Sequence, residues 1–330
     1  HPLRDARTLV DALRHRVPGI SATLYSFIYF AEAIVLANAV RQQRITHLHN
    51  HFANAAAIVG YLATRFLGIE HSLTLHGISE FDYPAGLLLR EKLKHARFVA
   101  CASHFCRAQA LRSTDPDDWS KMMIVRCGID TERFAPVKPT PRTGRVRVLH
   151  VGRLSAEKGQ SGLISAFSRL REQGIDAELR IVGTGPIEAA LKAQALRMGL
   201  QDACVFLGRQ DEGEIVEELH HADVFAMSSL MEGLPVVLME AMACGVAVVA
   251  PCVAGIPELV VHGETGLLYA PGDWDDLGRQ LAVALQDPEQ RRRLADSGRQ
   301  HVLAHFDIET AVLPLVRQFT QGPRREAPRH

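Results

Sequence analysis

The chain has 330 residues, 47% of them hydrophobic, and its 37 Lys plus Arg balance 37 Asp plus Glu. At roughly 150 residues per domain this is a two-domain length with apolar residues enough for two cores, which excludes bulk disorder and fibrous repeats. The zero net charge argues against attachment to nucleic acid or to an anionic membrane by bulk charge.

The chain opens His1-Pro2-Leu3-Arg4 without an initiator Met, a start that fits a fragment, and no signal peptide is evident. Residues 21–43, rich in Ala, Ile, Leu and Phe, read as a long helix. The apolar stretch 20–40 includes Glu32 and Asn38, which makes it less clean than a membrane span, so a largely buried helix is expected. Strands are predicted at 45–49, 71–75, 98–102 and 124–126, and helices at 54–67, closed by Gly68, and 87–95. The stretch 135–144 holds three prolines and a glycine, and the domain boundary is placed within it.

Beyond it the alternation is clearer. Strands are predicted at 146–151, 178–182, 205–207, 224–227 and 246–250. Helices are predicted at 163–173, 187–198, 214–220, 235–244, 275–285, 289–305 and 308–319, with a turn-rich stretch at 259–269. Strands alternating with helices predict an α/β class with two doubly wound Rossmann-like domains and a cleft between them. The expected division is 1–137, 138–320 and a disordered tail at 321–330. The six cysteines, Cys101, Cys106, Cys127, Cys204, Cys244 and Cys252, include no C-x2-C pair, so reduced thiols of a cytosolic protein are expected.

Several residues could carry chemistry. The loop from Gly152 to Gly159 follows a strand and precedes a helix, and it carries Arg153 and Lys158. Two cations at a helix start suit a diphosphate; a solvated loop is the plain alternative. In Glu232-Gly233-Leu234-Pro235-Val236, Pro235 stands near the first helical position. Glu232 and Glu240 are eight residues apart, about 12 Å along a helix. That exceeds the roughly 5–9.5 Å of a glycosidase pair, which disfavours a hydrolase. Gly183-Thr184-Gly185-Pro186 lacks the third glycine of a dinucleotide fingerprint and reads as a tight turn. His47, His49 and His51 alternate along one strand face, yet no Cys, Asp or Glu nearby completes a metal site. His76 stands at a strand's C-terminal end before Gly77.

In this order, Gly152-Arg153-x4-Lys158-Gly159, the E-x7-E of Glu232 and Glu240, Gly255-Ile256-Pro257-Glu258 and Gly263-x2-Gly266-Leu267-Leu268 resemble the retaining glycosyltransferases of the GT-B fold, carbohydrate-active family four. The stretch 51–56 is similar to bacterial members that build exopolysaccharide or surface glycans. The resemblance implies a nucleotide diphosphate sugar as donor, held mainly by the second domain, and a glycan or lipid-linked acceptor. It implies that Arg153 and Lys158, with the amides of Gly233, Leu234, Pro235 and Val236, hold the diphosphate in place of a metal. Glu240 would take the ribose hydroxyls, with Gly183 and Arg209 near the nucleotide; Glu232 and His76 would face the transferred sugar. No cofactor and no metal are implied. The location implied is cytoplasmic, with peripheral contact at the inner membrane face. The family's opening strand and glycine-rich loop have no counterpart before His47, so the first domain is expected to be incomplete. A non-catalytic nucleotide-sugar-binding subunit and a nucleotide-sugar epimerase remain alternatives; a nicotinamide dehydrogenase rests on the Gly183 loop alone.

Overall fold

The structure, a computed structural model, describes residues 8, 10, 20–82, 88–137 and 144–320. The expected tail from 321, the linker centre 138–143 and the basic residues between Arg4 and Arg16 lie outside the described residues.

The first unit contains α1 (Ile20–Gln42), β1 (His47–His51), α2 (Ala55–Leu67), β2 (Glu70–Leu75), α3 (Leu89–His95), β3 (Val99–Cys101), α4 (His104–Arg112) and β4 (Met122–Ile124). Its four strands are parallel, in the order β1-β2-β3-β4. Local signals set the helix ends. Asn54 caps α2 by accepting the Ala56 N–H, and Gly68 closes it in the left-handed region at φ 71. Ser103 caps α4, a helix missing from the sequence reading, by accepting the Cys106 N–H.

The expectation of a largely buried first helix is corrected. Ala33, Ala37 and Val40 give α1 a flat buried stripe, at helical spacing, against α2. Leu24, Tyr25, Phe27, Ile28 and Val35 point elsewhere and are exposed. By length and composition, Leu24–Gln42 is long and apolar enough to cross a membrane.

The second unit contains β5 (Val146–Val151), α5 (Gln160–Glu172), β6 (Ala177–Val182), α6 (Glu188–Arg197), β7 (Cys204–Gly208), α7 (Glu212–His220), β8 (Val224–Ala226), α8 (Val236–Ala243), β9 (Ala247–Pro251), β10 (Leu267–Tyr269), α9 (Trp274–Gln286), α10 (Pro288–His305) and α11 (Ile308–Ala311). All six strands are parallel, ordered β10-β9-β8-β5-β6-β7. Successive side chains of β5 feed opposite cores. Val148 packs with Leu163, Phe167 and Leu281 on one face, and Leu149 with Leu238, Met242 and Phe306 on the other. β10 falls in the stretch read as turns from sequence.

The units divide at Arg126/Cys127, earlier than the expected position 137. The reason is pairing across the chain. Ile129 donates to the Phe306 carbonyl at 2.9 Å and accepts from the Ile308 N–H at 2.9 Å. Thr131 Oγ1 donates to Asp307 Oδ2 at 2.5 Å, and Ile129 and Phe134 are buried in the second unit's core. The predicted final helix is two, α11 and α12 (Leu313–Thr320). Pro314, without an N–H and with a ring that crowds the carbonyl four residues back, explains the break. The chain then rejoins the first unit: Arg97 donates to the Gln318 carbonyl at 3.1 Å, and Phe319 meets Phe98 edge-on at 5.5 Å.

Candidate active site

In the second sheet β5 stands between β6 and β8, so the carboxyl ends of β5 and β8 form the topological switch point where an open α/β sheet binds ligands. Two loops leave that point, 152–159 and 227–235. Two hydrogen bonds join them: the Ser228 side chain donates through Oγ to the Lys158 carbonyl at 2.8 Å, and the Leu230 N–H donates to the Glu157 carbonyl at 2.8 Å. Gly159 sits at φ 65, and a Cβ there would fall 2.0 Å from the Ser228 carbonyl oxygen, so only glycine permits this approach.

The loops bring Lys158 and Glu232 together. Lys158 Nζ lies 2.5 Å from Glu232 Oε1, and Ser229 Oγ donates to the same oxygen at 2.6 Å. The Glu232 side chain is 10% exposed, so this charge is held by its two partners rather than by water. Arg153 is exposed, and among the described residues its guanidinium makes no hydrogen bond or ion pair. One cation is engaged and one is open beside it.

Gly233 to Val236 lead into α8, whose N-terminal cap, Pro235, makes no side-chain hydrogen bond. Its first N–H groups therefore suit an anion. Glu240 lies four residues into α8 and is half-buried. Burial pushes its carboxyl up, Glu212 adds to this, and Arg133 opposes it. Among the described residues no hydrogen bond reaches this carboxylate, which leaves it able to accept from hydroxyls. Gly183 ends β6 at φ 132, and a Cβ there would lie 2.0 Å from the Gly152 carbonyl oxygen. The glycine turn thus packs the β6 loop against the β5 loop. Arg209 is exposed just after β7, at the same carboxyl edge of the sheet.

His76 belongs to the first unit. Its Nε2 lies 3.1 Å from His51 Nδ1, and its ring faces Phe52 at 4.5 Å. Burial, then His51, pushes its pKa down to about 4, so the ring is neutral at pH 7. Glu80, 2% exposed, fixes the backbone here: it accepts the Ala53 N–H on Oε1 at 2.7 Å, and the N–H groups of His76 and Gly77 on Oε2 at 2.5 and 2.7 Å. The buried Lys92 donates to the Ala53 carbonyl. The His47, His49 and His51 face is satisfied from the next strand and loop by Glu70, Ser72, Thr74 and His76. Among the described residues no cluster of three or more His, Cys, Asp or Glu could hold a metal ion.

Sequence reasoning passed over Ser229, Glu80, Gln160 and His150. Ser229 and Gln160 flank the recognised motifs, and Glu80 is an acid four residues after His76, so proximity was the available signal. His150 is fully buried in β5, and burial, opposed by the Ala226 carbonyl and aided by Lys158, pushes its pKa down to about 4. An unfolded imidazole titrates near 6.5. Between these values the unfolded chain binds the extra proton, so stability is complete above about pH 6.5 and is lost as pH falls through the window. His150 is expected to contribute about 3 kcal/mol to that loss. Urea unfolding of a Trp119→Phe background, followed by Trp274 fluorescence from pH 7 to 4, measures it; His150→Phe should flatten the dependence, and an equally steep one would remove this assignment.

Residues 132–301 match the family described as Glycosyl transferases group 1, and residues 2–133 match Glycosyltransferase Family 4. The chain is 33% identical over 213 residues to a glycogen synthase of Mycobacterium tuberculosis, covering 64% of this chain and 51% of that protein. It thus spans about half the length of that relative. It is 30% identical over 308 residues to an alpha-maltose-1-phosphate synthase of the same organism, covering 83% and 78% of the two chains. Among solved structures, Anabaena Alr3699/HepE in complex with UDP is similar, with a TM-score of 0.76 at 21% identity over 88% of this chain and 82% of that one. Likeness at that identity shows the fold.

Proposed function

The chain belongs to the group 1 glycosyl transferases, with two parallel sheets of the GT-B fold, and from that premise we propose that it moves a sugar from a nucleotide diphosphate sugar to a glycan or lipid-linked acceptor, with retention at the anomeric carbon and without a metal. The observation that carries this reading is the Lys158–Glu232 pair beside the open Arg153 at the switch point of the second sheet. A diphosphate leaving group gains negative charge as the glycosidic bond breaks. Lys158 and Arg153 meet that charge, and the N–H groups opening α8 add partial positive charge. Glu232, oriented by Lys158 and Ser229, is placed to accept from the donor sugar's hydroxyls. Glu240 takes the ribose hydroxyls, and Gly183 and Arg209 border the nucleotide. His76, neutral at pH 7, serves the sugar as a hydrogen-bonding group rather than as a cation. The UDP in the Anabaena structure supports a nucleoside diphosphate as the common part of the donor.

We place the reaction in the cytoplasm, which the free thiols of Cys101, Cys106, Cys204, Cys244 and Cys252 support. The exposed Leu24, Tyr25, Phe27 and Ile28 of α1 support peripheral contact with the membrane face that carries a lipid-linked acceptor.

The test is a thermal-shift and calorimetry panel with UDP, GDP, ADP and their common sugars, first with chelator and then with Mg²⁺. One nucleoside diphosphate is expected to raise the melting temperature in chelator, since a ligand that binds only the folded chain stabilises it; a ligand at a hundredfold its Kd contributes about 2.7 kcal/mol. Silence across the whole panel would refute the donor site, and a shift that requires Mg²⁺ would refute metal independence.

A further inference from the structure

The loop 152–159 is held from beneath by a buried polar pair. Gln160, the first residue of α5, is fully buried, and its Nε2 lies 2.8 Å from the Arg153 carbonyl oxygen and 3.2 Å from His150 Nε2. His150 is 2% exposed, and its Nδ1 lies 2.9 Å from the Ala226 carbonyl oxygen in β8. A carbonyl only accepts, so His150 Nδ1 carries the proton and its Nε2 is an acceptor. The Gln160 amide must then turn both its N–H groups outward, one to His150 and one to Arg153. The opposite orientation would set Oε1 against two acceptors. The consequence is visible: Gln160 Oε1 is buried without a hydrogen-bond partner. An orphaned buried acceptor is destabilising, because it gives up its bond to water and gains none in return. A leucine or methionine at this helix start would remove that orphan but leave the Arg153 carbonyl and His150 Nε2 without their donor, so the amide leaves one acceptor unpaired in order to hold two.

What it does achieve is a fixed chain of hydrogen bonds from β8 through β5 to one carbonyl of the loop. Ala226, His150, Gln160 and Arg153 form that chain, and its last member carries the open guanidinium. We infer that Gln160, its amide direction set by His150, is a positioning residue that fixes the Arg153 backbone and so aims the guanidinium at the donor's diphosphate. The inference rests on the reading of 152–159 as the diphosphate loop. Freed of Gln160, the Arg153 peptide can rotate, and the guanidinium must then be ordered at the moment of binding. The loss falls on groups that reach the phosphates and not on the nucleoside.

The experiment compares Gln160→Met, an unbranched apolar replacement, with His150→Phe/Gln160→Met, in which both members of the polar pair are replaced by apolar side chains. The full chain is titrated calorimetrically with the matching nucleoside monophosphate and diphosphate. In both variants the preference for diphosphate over monophosphate is expected to fall about tenfold, with the melting temperature held within a few degrees. In a cycle with Arg153→Ala, Gln160→Met is expected to add little further loss, because it acts through Arg153. A folded variant that keeps the full diphosphate preference overturns the inference while leaving the donor site standing. Additive losses in the cycle overturn it too, since they make Gln160 a support of the fold at large. Absence of diphosphate binding by the unaltered chain overturns the donor site itself.

Discussion

Sugar transfer by Lys158→Ala is expected to run about 10²- to 10³-fold slower than by the unaltered chain, a loss of ~3–4 kcal/mol. Two effects add. The diphosphate loses a cation where its charge develops. Glu232 also loses the partner 2.5 Å away that holds its largely buried carboxylate, keeping only the Ser229 hydroxyl. A largely buried carboxylate without its cation is no longer held in place, and the donor sugar then meets a differently placed group. The fall should appear in kcat at saturating donor, because the cation matters most where charge builds up in the transition state. Glu232→Gln should slow transfer as well, and the double variant should lose less than the two single losses combined, because the side chains act as one unit. Steady-state release of nucleoside diphosphate, measured with chelator present, reads all three. A Lys158→Ala rate within threefold of the parent would take Lys158 out of the diphosphate site.

The contrast between what was legible and what was not has a physical pattern. The alternation of strands and helices, the Asn54 and Gly68 caps and the glycine-bearing loops could all be read from sequence, because each is a local rule: a period, a cap or a positive φ. Arg153, Lys158 and Glu232 were legible as charged residues on loops after strands. Their pairing was not, because 74 residues separate Lys158 from Glu232 and only the sheet order brings their loops side by side. His150 looked like one more strand residue for the same reason: its partners, Ala226 and Gln160, come from another strand and from a helix start. The unit boundary was misplaced because proline marks a flexible stretch, whereas the division follows the bonds between Ile129 and the 306–308 segment. β10 escaped because three residues are too few to show a period, and its strand character comes from pairing with β9.

Glu80→Ala is expected to lower the stability of the first unit by about 3–5 kcal/mol. No exposed replacement would do this. Its carboxylate accepts three backbone N–H groups, from Ala53, His76 and Gly77. Removing it leaves donors with no acceptor at a site the solvent hardly reaches, and each orphaned group costs about 1–3 kcal/mol. Burial pushes the Glu80 carboxyl up on balance, while these three N–H groups and Lys92 pull the other way and offset part of that shift. The same bonds join the loop after β1 to the loop after β2, which sets Phe52 and His51 against the His76 ring. Glu80→Gln, with one acceptor oxygen in place of two, should fall between the parent and Glu80→Ala. Trp119 lies in the first unit and Trp274 in the second. Urea unfolding of a Trp274→Phe background therefore reports the first unit, where the midpoint should drop in the order parent, Glu80→Gln, Glu80→Ala. If the Glu80→Ala midpoint is unmoved, the three N–H groups find other partners, and His76 is positioned by its ring neighbours alone.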